Sequence, residues 1–259
     1  MKVTLFTADN FRHNYLINLL SNFCDELWVI RESKTLFLEE KYQNSPTIQK
    51  YIGKVIEAQN KIFNKELLNE NNKNVRILPI LYGELNNLSL TYLNDFLKSD
   101  IYIVFGSSYI KGELVDFLIK NRSINIHAGI SPYYRGTDCN FWALYDNNPH
   151  LVGATIHLLS KGLDSGPILY HAMSKIKKNP FEYTMSTVKS AFISISERIK
   201  DNSILSINPI TQDKNKEIRY SKKSEFNEKI AQEYFKKEID FKSKKFNINL
   251  LKEPFFLNN

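Results

Sequence analysis

Two short patterns in the middle of the chain contain side chains that could carry out chemistry. The first is Asn125-Ile126-His127, at the end of a short apolar segment that begins at Ser123. If that segment is a strand, alternate side chains point to the same face, so the amide and the imidazole lie together. The second pattern is the turn from Gly162 to Gly166, where glycine allows positive φ and close approach of the backbone to a ligand. The carboxylate of Asp164 in this turn could reach His127.

These three side chains predict acyl-transfer chemistry. A carboxylate beside an imidazole holds its tautomer and stabilises the imidazolium. We therefore expect Asp164 to orient His127 and to help relay a proton, while Asn125 and His127 stabilise a tetrahedral oxyanion. Each pattern alone is weak, because a histidine at a strand end is usually a structural residue.

Four motifs, in this order and spacing, resemble those of the formyltransferases that use 10-formyltetrahydrofolate. They are Asn125-Ile126-His127, Ser131-Pro132-Tyr133-Tyr134-Arg135-Gly136, Gly153-Ala154-Thr155-Ile156-His157 and Leu163-Asp164-Ser165-Gly166-Pro167-Ile168. The resemblance is strong over 101–176 and poor after about residue 202. It implies transfer of a formyl group from 10-formyltetrahydrofolate to a primary amine, with Asn125, His127 and Asp164 as catalytic residues and no metal ion.

The resemblance also implies where the folate binds. That family places the pterin against the backbone that follows a buried parallel strand, which here is Asp100–Phe105. The matching positions are Ser108, Tyr109 and Ile110, although the family more often has apolar residues where this chain has Ser107 and Ser108. Further folate contacts are expected just before the catalytic carboxylate, at Ser160, Lys161 and Gly162.

The acceptor is predicted by elimination among the branches of the family. The chain lacks the Gly/Ser-rich first loop of the glycinamide ribonucleotide branch, and its tail is too short and too mixed in charge to resemble the tRNA-binding barrel of the methionyl-tRNA branch. This favours the branch that N-formylates nucleotide-linked amino sugars for surface polysaccharides such as lipopolysaccharide. Five side chains are expected to contact this anionic substrate: Arg12, His13, Tyr133, Tyr134 and Arg135.

Several alternatives stay open. The first helical turn, with Arg12 and His13, could simply be exposed to solvent, and the loop at Tyr133 and Tyr134 could pack its own rings. The protein could also be a methionyl-tRNA or glycinamide ribonucleotide formyltransferase, or a hydrolase that releases formate from the folate. A non-catalytic folate or nucleotide binding protein is disfavoured, because it would not need the complete set of three catalytic residues.

Composition sets broad limits on the protein. With 259 residues, 42% of them hydrophobic, the chain fits one α/β domain or one domain with an appendage. No apolar run approaches the roughly 20 residues that span a bilayer, so we expect a cytoplasmic protein without a membrane partner. The two cysteines, Cys24 and Cys139, predict buried thiols without a disulfide framework. The net charge of +7 is spread along the chain, which makes nucleic acid an unexpected partner.

The pattern of elements predicts a Rossmann-like, doubly wound α/β fold with a mostly parallel sheet, a catalytic domain over 1–202 and a C-terminal extension over 203–259. Absence of G-x-G-x-x-G argues against a nicotinamide or flavin enzyme. The polar block Glu32–Lys73 predicts two helices that form a lid or a homodimer surface. The predicted strands are Lys2–Thr7, Asp25–Ile30, Asn74–Leu81, Asp100–Phe105, Ser123–His127, Gly153–Leu159 and Ile168–Ile176. The predicted helices are Phe11–Phe23, Thr91–Leu97, Asp138–Asp146, Pro180–Lys200 and Glu225–Ile239.

Finer expectations concern single residues. Pro79 predicts that its strand lies at an edge or ends there, because proline cannot donate to a sheet. Trp142 is expected in the core, and His157 is expected to be a structural or supporting residue.

Overall fold

The computed structural model describes residues 1–34, 44–69, 71–242 and 247–257. Its strands are β1 (Lys2–Ala8), β2 (Glu26–Ser33), β3 (Val75–Leu81), β4 (Ile101–Phe105), β5 (Ile124–His127), β6 (Tyr134–Gly136), β7 (Ala154–Leu158), β8 (Ile168–Ser174), β9 (Arg219–Ser221) and β10 (Phe255–Leu257). Its α-helices are α1 (Phe11–Ser21), α2 (Pro46–Ile62), α3 (Gly112–Lys120), α4 (Cys139–Tyr145), α5 (Pro180–Lys200) and α6 (Glu228–Lys236).

A large sheet of eight strands organises the molecule, in the order β10-β8-β7-β5-β4-β1-β2-β3. All neighbouring pairs are parallel except those that involve β7, which runs antiparallel to both β5 and β8. The mostly parallel α/β fold is therefore confirmed. β3 lies at one end of the sheet, so Pro79 is on an edge strand, as predicted.

Helices cover both faces of the sheet. Val3 and Leu5 of β1 face one cluster, which includes Leu16 of α1 and Phe192 of α5, and all four are fully buried. Phe6, on the alternate face of the same strand, belongs to a second cluster with side chains of α3. A strand that is buried on both faces reads as a continuous apolar run, which is why the sequence predicted it clearly.

A third apolar cluster lies beyond the sheet, around α4. Trp142 is 2% exposed there, which confirms its place in the core. Cys139 of α4 and Cys24 are both buried thiols, as predicted.

Two predicted helices differ from the structure, and a third prediction lies partly outside the described residues. Residues 91–97 form turns and no helix, although Leu93 and Leu97 are buried at a helical spacing. The N–H of Leu97 donates to the carbonyls of both Leu93 (3.0 Å) and Asn94 (3.2 Å), and the N–H of Leu93 donates to the carbonyl of Ser89 (3.1 Å). The last predicted helix shortens to α6, because Lys223–Glu225 form a separate 3-10 turn. In the block 32–73, Glu32 belongs to β2 and α2 is the helix described; residues 35–43 and 70 lie outside the described residues, so the second helix, the lid and the dimer surface stay predictions.

The segment after α5 adds strands to both sheets. β10 pairs with β8 at the end of the large sheet, and β9 pairs with β6 in a separate two-stranded parallel sheet. Ile210 also forms an isolated bridge with Ile168. None of these pairings was predicted, because three-residue strands are too short to show periodicity. The division into domains at residue 202 stays a prediction.

Candidate active site

The carboxylate of Asp164 lies between the two histidines of the sequence motifs. Its Oδ2 is 3.3 Å from Nδ1 of His127, and its Oδ1 is 3.8 Å from Nε2 of His157. The backbone N–H of Gly136 also donates to Oδ2, at 3.3 Å. The turn thus brings its carboxylate to His127, which is the contact that the sequence predicted.

The surroundings of Asp164 favour its charged form. Burial alone would raise the pKa of this carboxyl, but His127, His157 and the N–H of Gly136 together outweigh burial, and the pKa lies below its ordinary value. The carboxylate is therefore ionised at neutral pH and can stabilise a positive charge on a neighbouring ring.

Both ring nitrogens of His127 face oxygen acceptors. Nδ1 faces Asp164, and Nε2 lies 3.1 Å from the carbonyl oxygen of Tyr134. Burial lowers the pKa of His127, and the opposing effect of the Asp164 carboxylate is smaller. A neutral imidazole has only one N–H. If His127 becomes protonated, the N–H on its second nitrogen therefore has an oxygen acceptor already in place.

Asn125 uses both hydrogens of its amide inside this cluster. Nδ1–H of His157 donates to the carbonyl of Leu158 (2.8 Å), which leaves Nε2 of His157 as an acceptor. Nδ2 of Asn125 donates to that Nε2 at 2.9 Å and to Oδ1 of Asp164 at 3.3 Å. Within the described part of the chain, Oδ1 of Asn125 has no hydrogen-bond partner, and Asn125 lines a cavity.

The register of two antiparallel strands explains this cluster. Asn125 of β5 lies opposite His157 of β7, and His127 lies opposite Thr155. Directly opposed residues of an antiparallel pair have side chains on the same face. Thr155 supports the loop after His127: its Oγ1 accepts from the N–H of Ser131 (2.8 Å) and donates to the carbonyl of Gly129 (2.6 Å). The motif Gly153–His157 therefore supplies supporting residues for Asn125 and His127.

The turn that carries Asp164 uses its glycines differently from the expectation. Asp164 itself has the positive φ, 47°, and neither Gly162 nor Gly166 does, so that part of the prediction was wrong. The predicted close approach of the backbone is confirmed at Gly166, where an added Cβ would lie 1.7 Å from the carbonyl oxygen of Leu158. Aspartate tolerates the left-handed region better than most residues, so the turn can place the reactive side chain at this position.

A cavity of about 840 Å³ opens beside Asn125, His127 and Asp164. Five of the six residues predicted to contact folate line it, as follows: Ser108, Tyr109, Ile110, Ser160 and Gly162. The two loops that carry them touch, since the hydroxyl of Tyr109 donates to the carbonyl oxygen of Lys161 at 2.5 Å. The side chain of Lys161 pairs with Asp116 at 2.7 Å and does not line the cavity, so a folate contact of this residue stays a prediction.

Only one of the five residues expected to contact the acceptor lines the cavity, and this is Arg12. His13 is 1% exposed with Nδ1 held at 2.6 Å from Oγ1 of Thr7, so neither the predicted contact nor the exposed alternative is correct for it. Tyr133 and Tyr134 are buried in the cluster around α4, which was the alternative for that loop.

Arg135 contacts the turn that holds Asp164 and does not line the cavity. One of its nitrogens, Nη2, donates to the carbonyl oxygen of Leu163 at 2.9 Å, and the other, Nη1, pairs with Glu217 at 3.0 Å. Its guanidinium thus connects the turn to the C-terminal segment, and its expected role as a substrate contact stays a prediction.

Sequence reasoning missed most of one wall of this cavity. This wall is aromatic and comes from four helices and from β9: Tyr51, Phe141, Phe181, Tyr220 and Tyr234. The only signal was helical spacing, which is typical of any core residue. The convergence of these rings depends on tertiary packing of α2, α4, α5 and α6.

Asp138 was also missed, because it reads as an ordinary helix cap. It precedes α4 with a φ of 55° and makes no capping hydrogen bond. Its side chain lines the cavity without a hydrogen-bond partner among the residues that the structure describes. Burial raises the pKa of Asp138, and the charge of Arg12 opposes this. Nη1 of Arg12 donates to Oε1 of Gln59 at 3.0 Å, so an opposite charge is fixed in the same cavity.

The part of the chain that contains this site is similar to known proteins. Residues 95–199 match the family described as formyl transferase, and this stretch contains Asn125, His127 and Asp164. This part of the chain, less than half of its length, is thus similar to a formyl transferase domain. Gln212, Tyr220 and other residues of the C-terminal segment lie outside the matched stretch.

Curated relatives of the chain are similar over parts of their length. A methionyl-tRNA formyltransferase of Prochlorococcus marinus subsp. pastoris is 27% identical over 129 residues, which cover 50% of this chain and 37% of the relative. The bifunctional polymyxin resistance protein ArnA of Wigglesworthia glossinidia brevipalpis is 34% identical over 103 residues, which cover 39% of this chain and 15% of the relative. The chain thus spans less than half of the length of either.

Solved structures share the fold over most of the chain. A sugar N-formyltransferase from Shewanella sp FDAARGOS_354 superposes with a TM-score of 0.53 at 18% identity, covering 87% of this chain and 78% of the other. An N-formyltransferase from Helicobacter canadensis, solved with folinic acid and dTDP-3-aminofucose, gives a TM-score of 0.51 at 12% identity, covering 90% and 79%. At such identities the likeness concerns the fold.

Neither a membrane-spanning helix nor a cluster of metal-ligating side chains occurs in the part of the chain that the structure describes. Over the described ranges, no helix has both the length and the apolar character needed to cross a membrane. No group of three or more His, Cys, Asp or Glu side chains with the geometry of a metal site occurs among the same residues.

Proposed function

We propose that the protein transfers a formyl group from 10-formyltetrahydrofolate to the amino group of a nucleotide-linked amino sugar. The observation that carries this proposal is the buried contact of Asp164 with His127 (3.3 Å) and with Asn125 (3.3 Å) beside a large cavity, inside the stretch that is similar to a formyl transferase domain. Amide, imidazole and carboxylate together can handle both the developing charge and the proton of an acyl transfer.

The donor site is proposed at the loops that hold Ser108 to Ile110 and Ser160 to Gly162. Both loops line the cavity near Asn125, and a bond from Tyr109 to the Lys161 carbonyl joins them. A cavity of about 840 Å³ lies within the range of roughly 300–1,000 Å³ that is usual for small-molecule sites. The residues present therefore fit a ligand of the size and mixed polarity of a folate.

The proposed proton transfers run through His127. When the amine nitrogen bonds to the formyl carbon, it must lose a proton, and when the bond between that carbon and the folate nitrogen breaks, the folate nitrogen must gain one. Both ring nitrogens of His127 face protein oxygens in this structure, Asp164 and the carbonyl of Tyr134. To take the first proton, Nε2 must therefore turn from the Tyr134 carbonyl toward the amine, while Nδ1 stays directed at Asp164. Asp164 then stabilises the imidazolium and keeps the ring in place until the proton is passed on.

The proposed role of Asn125 changes from the sequence-based expectation. Both amide hydrogens are directed to His157 and Asp164, so donation to an oxyanion would require one of these bonds to break. Its Oδ1, which lacks a partner within the described residues, suits an N–H of the attacking amine. We propose that Asn125 positions the amine, with His157 fixing the orientation of the amide.

The proposed acceptor class rests on the aromatic wall of the cavity and on the solved structures that share the fold. Aromatic rings such as Tyr51, Phe141 and Tyr220 offer surfaces for a base or a sugar ring, and the Arg12 guanidinium offers a partner for an anionic group. The Shewanella protein is described as a sugar N-formyltransferase, and the Helicobacter protein was solved with an amino sugar on a nucleotide carrier. These observations support a nucleotide-linked amino sugar as the acceptor.

A methionyl-tRNA acceptor is the second candidate, because the Prochlorococcus relative carries that name. Glycinamide ribonucleotide and simple hydrolysis of the formyl-folate are tested beside it. The experiment is incubation with 10-formyltetrahydrofolate and a panel of amines: dTDP-, UDP- and GDP-linked amino sugars, glycinamide ribonucleotide and methionyl-tRNA. Mass spectrometry of the products, with an acceptor-free reaction for formate release, distinguishes the candidates. Formylation of tRNA alone, or formate release alone, would overturn the sugar proposal.

A further inference from the structure

Glu32 is a carboxylate in the interior of the protein, close to the proposed folate site. It lies at the carboxyl end of β2 and is 0% exposed. Its Oε1 accepts hydrogen bonds from the hydroxyl of Ser108 (2.7 Å) and from the N–H of Gly83 (2.9 Å), and its Oε2 accepts from the N–H of Ser108 (2.5 Å). A buried carboxylate is costly unless such donors satisfy it, so this arrangement needs a reason.

The position of Glu32 in the sheet shows what it connects. In the strand order, β1 lies between β2 and β4, and Glu32 is paired with Ala8 at the last position of β1. The side chain therefore reaches past the end of β1 to the loop that follows β4. Through Gly83 it also holds the loop that follows β3. One carboxylate thus joins the loops at the carboxyl edge of the sheet, where ligands of such folds bind.

Ser108 donates two hydrogen bonds to this carboxylate. Its N–H and its hydroxyl both donate to Glu32, so neither faces the cavity as a free donor. The side chain is only 8% exposed. A serine at this position, where an apolar residue was expected, is thereby explained by a partner 76 residues away in sequence. The ligand would meet the next two residues of the loop, Tyr109 and Ile110.

We propose that Glu32 is a positioning residue for the donor: it fixes the backbone of residues 106–110 in the conformation that receives the pterin ring of the folate. The inference rests on the proposed function, since it assumes the folate site at this loop. Glu32 does not line the cavity and acts only through Ser108 and Gly83.

The test measures the affinity for folinic acid by calorimetry in four proteins: wild type, Glu32→Gln, Ser108→Ala and the double variant. Glutamine turns an NH2 group toward one of the donors, so the loop loses a charged hydrogen bond. We expect Glu32→Gln to weaken folinic acid binding about 10- to 100-fold and Ser108→Ala about 3- to 10-fold. In the double variant the loss should be clearly smaller than the product of the two, because both changes break the same contact.

Glu84→Gln is the matched control, with the same chemical change one residue from Gly83 on an exposed side chain. Circular dichroism melts set a temperature at which every variant is folded, so that general unfolding does not enter the affinity. This coupling in ligand affinity is a readout that a merely structural role would not move.

The possible outcomes distinguish a failure of this inference from a failure of the proposed function. A wild-type protein that does not bind folinic acid overturns the proposed function and the inference with it. Wild-type binding that Glu32→Gln leaves unchanged overturns the inference alone. If Glu32→Gln does not fold, Ser108→Ala decides, and unchanged affinity in that variant also overturns the inference.

Discussion

Nε2 of Gln212 donates to the main-chain carbonyl oxygens of Asp164, at 2.8 Å, and of Gly166, at 2.7 Å. Gln212 belongs to the segment that follows α5, outside the stretch that matches the formyl transferase family. The turn that holds the proposed catalytic carboxylate is therefore fixed from a part of the chain that was expected to be an appendage. Because the two bonds go to main-chain atoms, they fix the path of the turn and leave the Asp164 side chain to the histidines.

The first prediction concerns this brace. Gln212→Ala removes both hydrogen bonds, each worth about 1 kcal/mol, and lets the turn depart from its left-handed conformation at Asp164. We expect kcat for formyl transfer to fall about 10-fold, with a decrease of a few degrees in Tm. Gln232→Ala, on the exposed side of α6, is the control. Equal kcat values in the two variants would show that the brace has no catalytic consequence.

The second prediction concerns the proposed proton path. Asp164→Asn leaves the volume unchanged but removes the charge that stabilises the protonated ring of His127, and His127→Ala removes the ring. Each should lower turnover by about two orders of magnitude or more, as the loss of acid-base or electrostatic assistance usually does. Steady-state kinetics check this against Asp95→Asn, a surface carboxylate. Near-normal formyl transfer in either variant would contradict the assigned roles.

The third prediction uses a buried histidine away from the active site. Burial lowers the pKa of His171 to about 4, with the ring held between the carbonyl of Ser131 (2.9 Å) and the N–H of Lys252 (2.8 Å). The unfolded chain, with an ordinary pKa near 6.5, binds a proton first as the pH falls, so stability is lost between about pH 6.5 and 4.

For this histidine we expect a loss of about 3 kcal/mol in the free energy of unfolding across that range. Denaturant unfolding at a series of pH values measures it. His171→Gln, which cannot take up the proton, should show a correspondingly weaker pH dependence. The same slope in both proteins would exclude His171 as a cause.

The fourth prediction concerns Asp138, the cavity carboxylate with a raised pKa. A carboxyl whose folded pKa lies above its unfolded value destabilises the protein at pH values above both, and this penalty disappears as the pH falls to the unfolded value near 4. Asp138→Asn should therefore be more stable than the wild type at pH 7, with an advantage that shrinks toward pH 4.

The pH dependence isolates the charge of Asp138, because any preference of asparagine for the left-handed backbone is the same at every pH. Thermal melts of the two proteins in parallel buffers provide the measurement. An advantage that does not change with pH would mean that backbone conformation alone is responsible.

Much of the fold could be predicted from the sequence, because its central strands are buried on both faces and its helices show apolar spacing. Val3 to Phe6 and Ile101 to Phe105 read as continuous apolar runs, and they lie in the middle of the sheet. The three-residue strands β6, β9 and β10 could not be predicted, since their pairing depends on where the chain returns after α5.

The candidate site also contains residues that the sequence predicts and residues that it does not. Asn125 and His127 share a face because strands alternate, and the turn at Asp164 is visible in its glycines. His157 was assigned a minor role because the sequence does not reveal that β7 runs antiparallel and places it opposite Asn125. Glu32 was assigned to the polar block that follows the second strand, and only the three-dimensional structure shows that it belongs to β2 and contacts a distant partner, Ser108.

The parallel pairing of β9 with β6 has a consequence for how the protein is made. Tyr220 of β9 and Tyr234 of α6 complete a wall of the cavity whose other residues are synthesised much earlier. A nascent chain can thus assemble the central sheet and the Asn125–His127 strand while it still has an open cavity and an unbraced turn at Asp164. We expect ligand binding to mature late in translation, after the segment around residue 234 has left the ribosome.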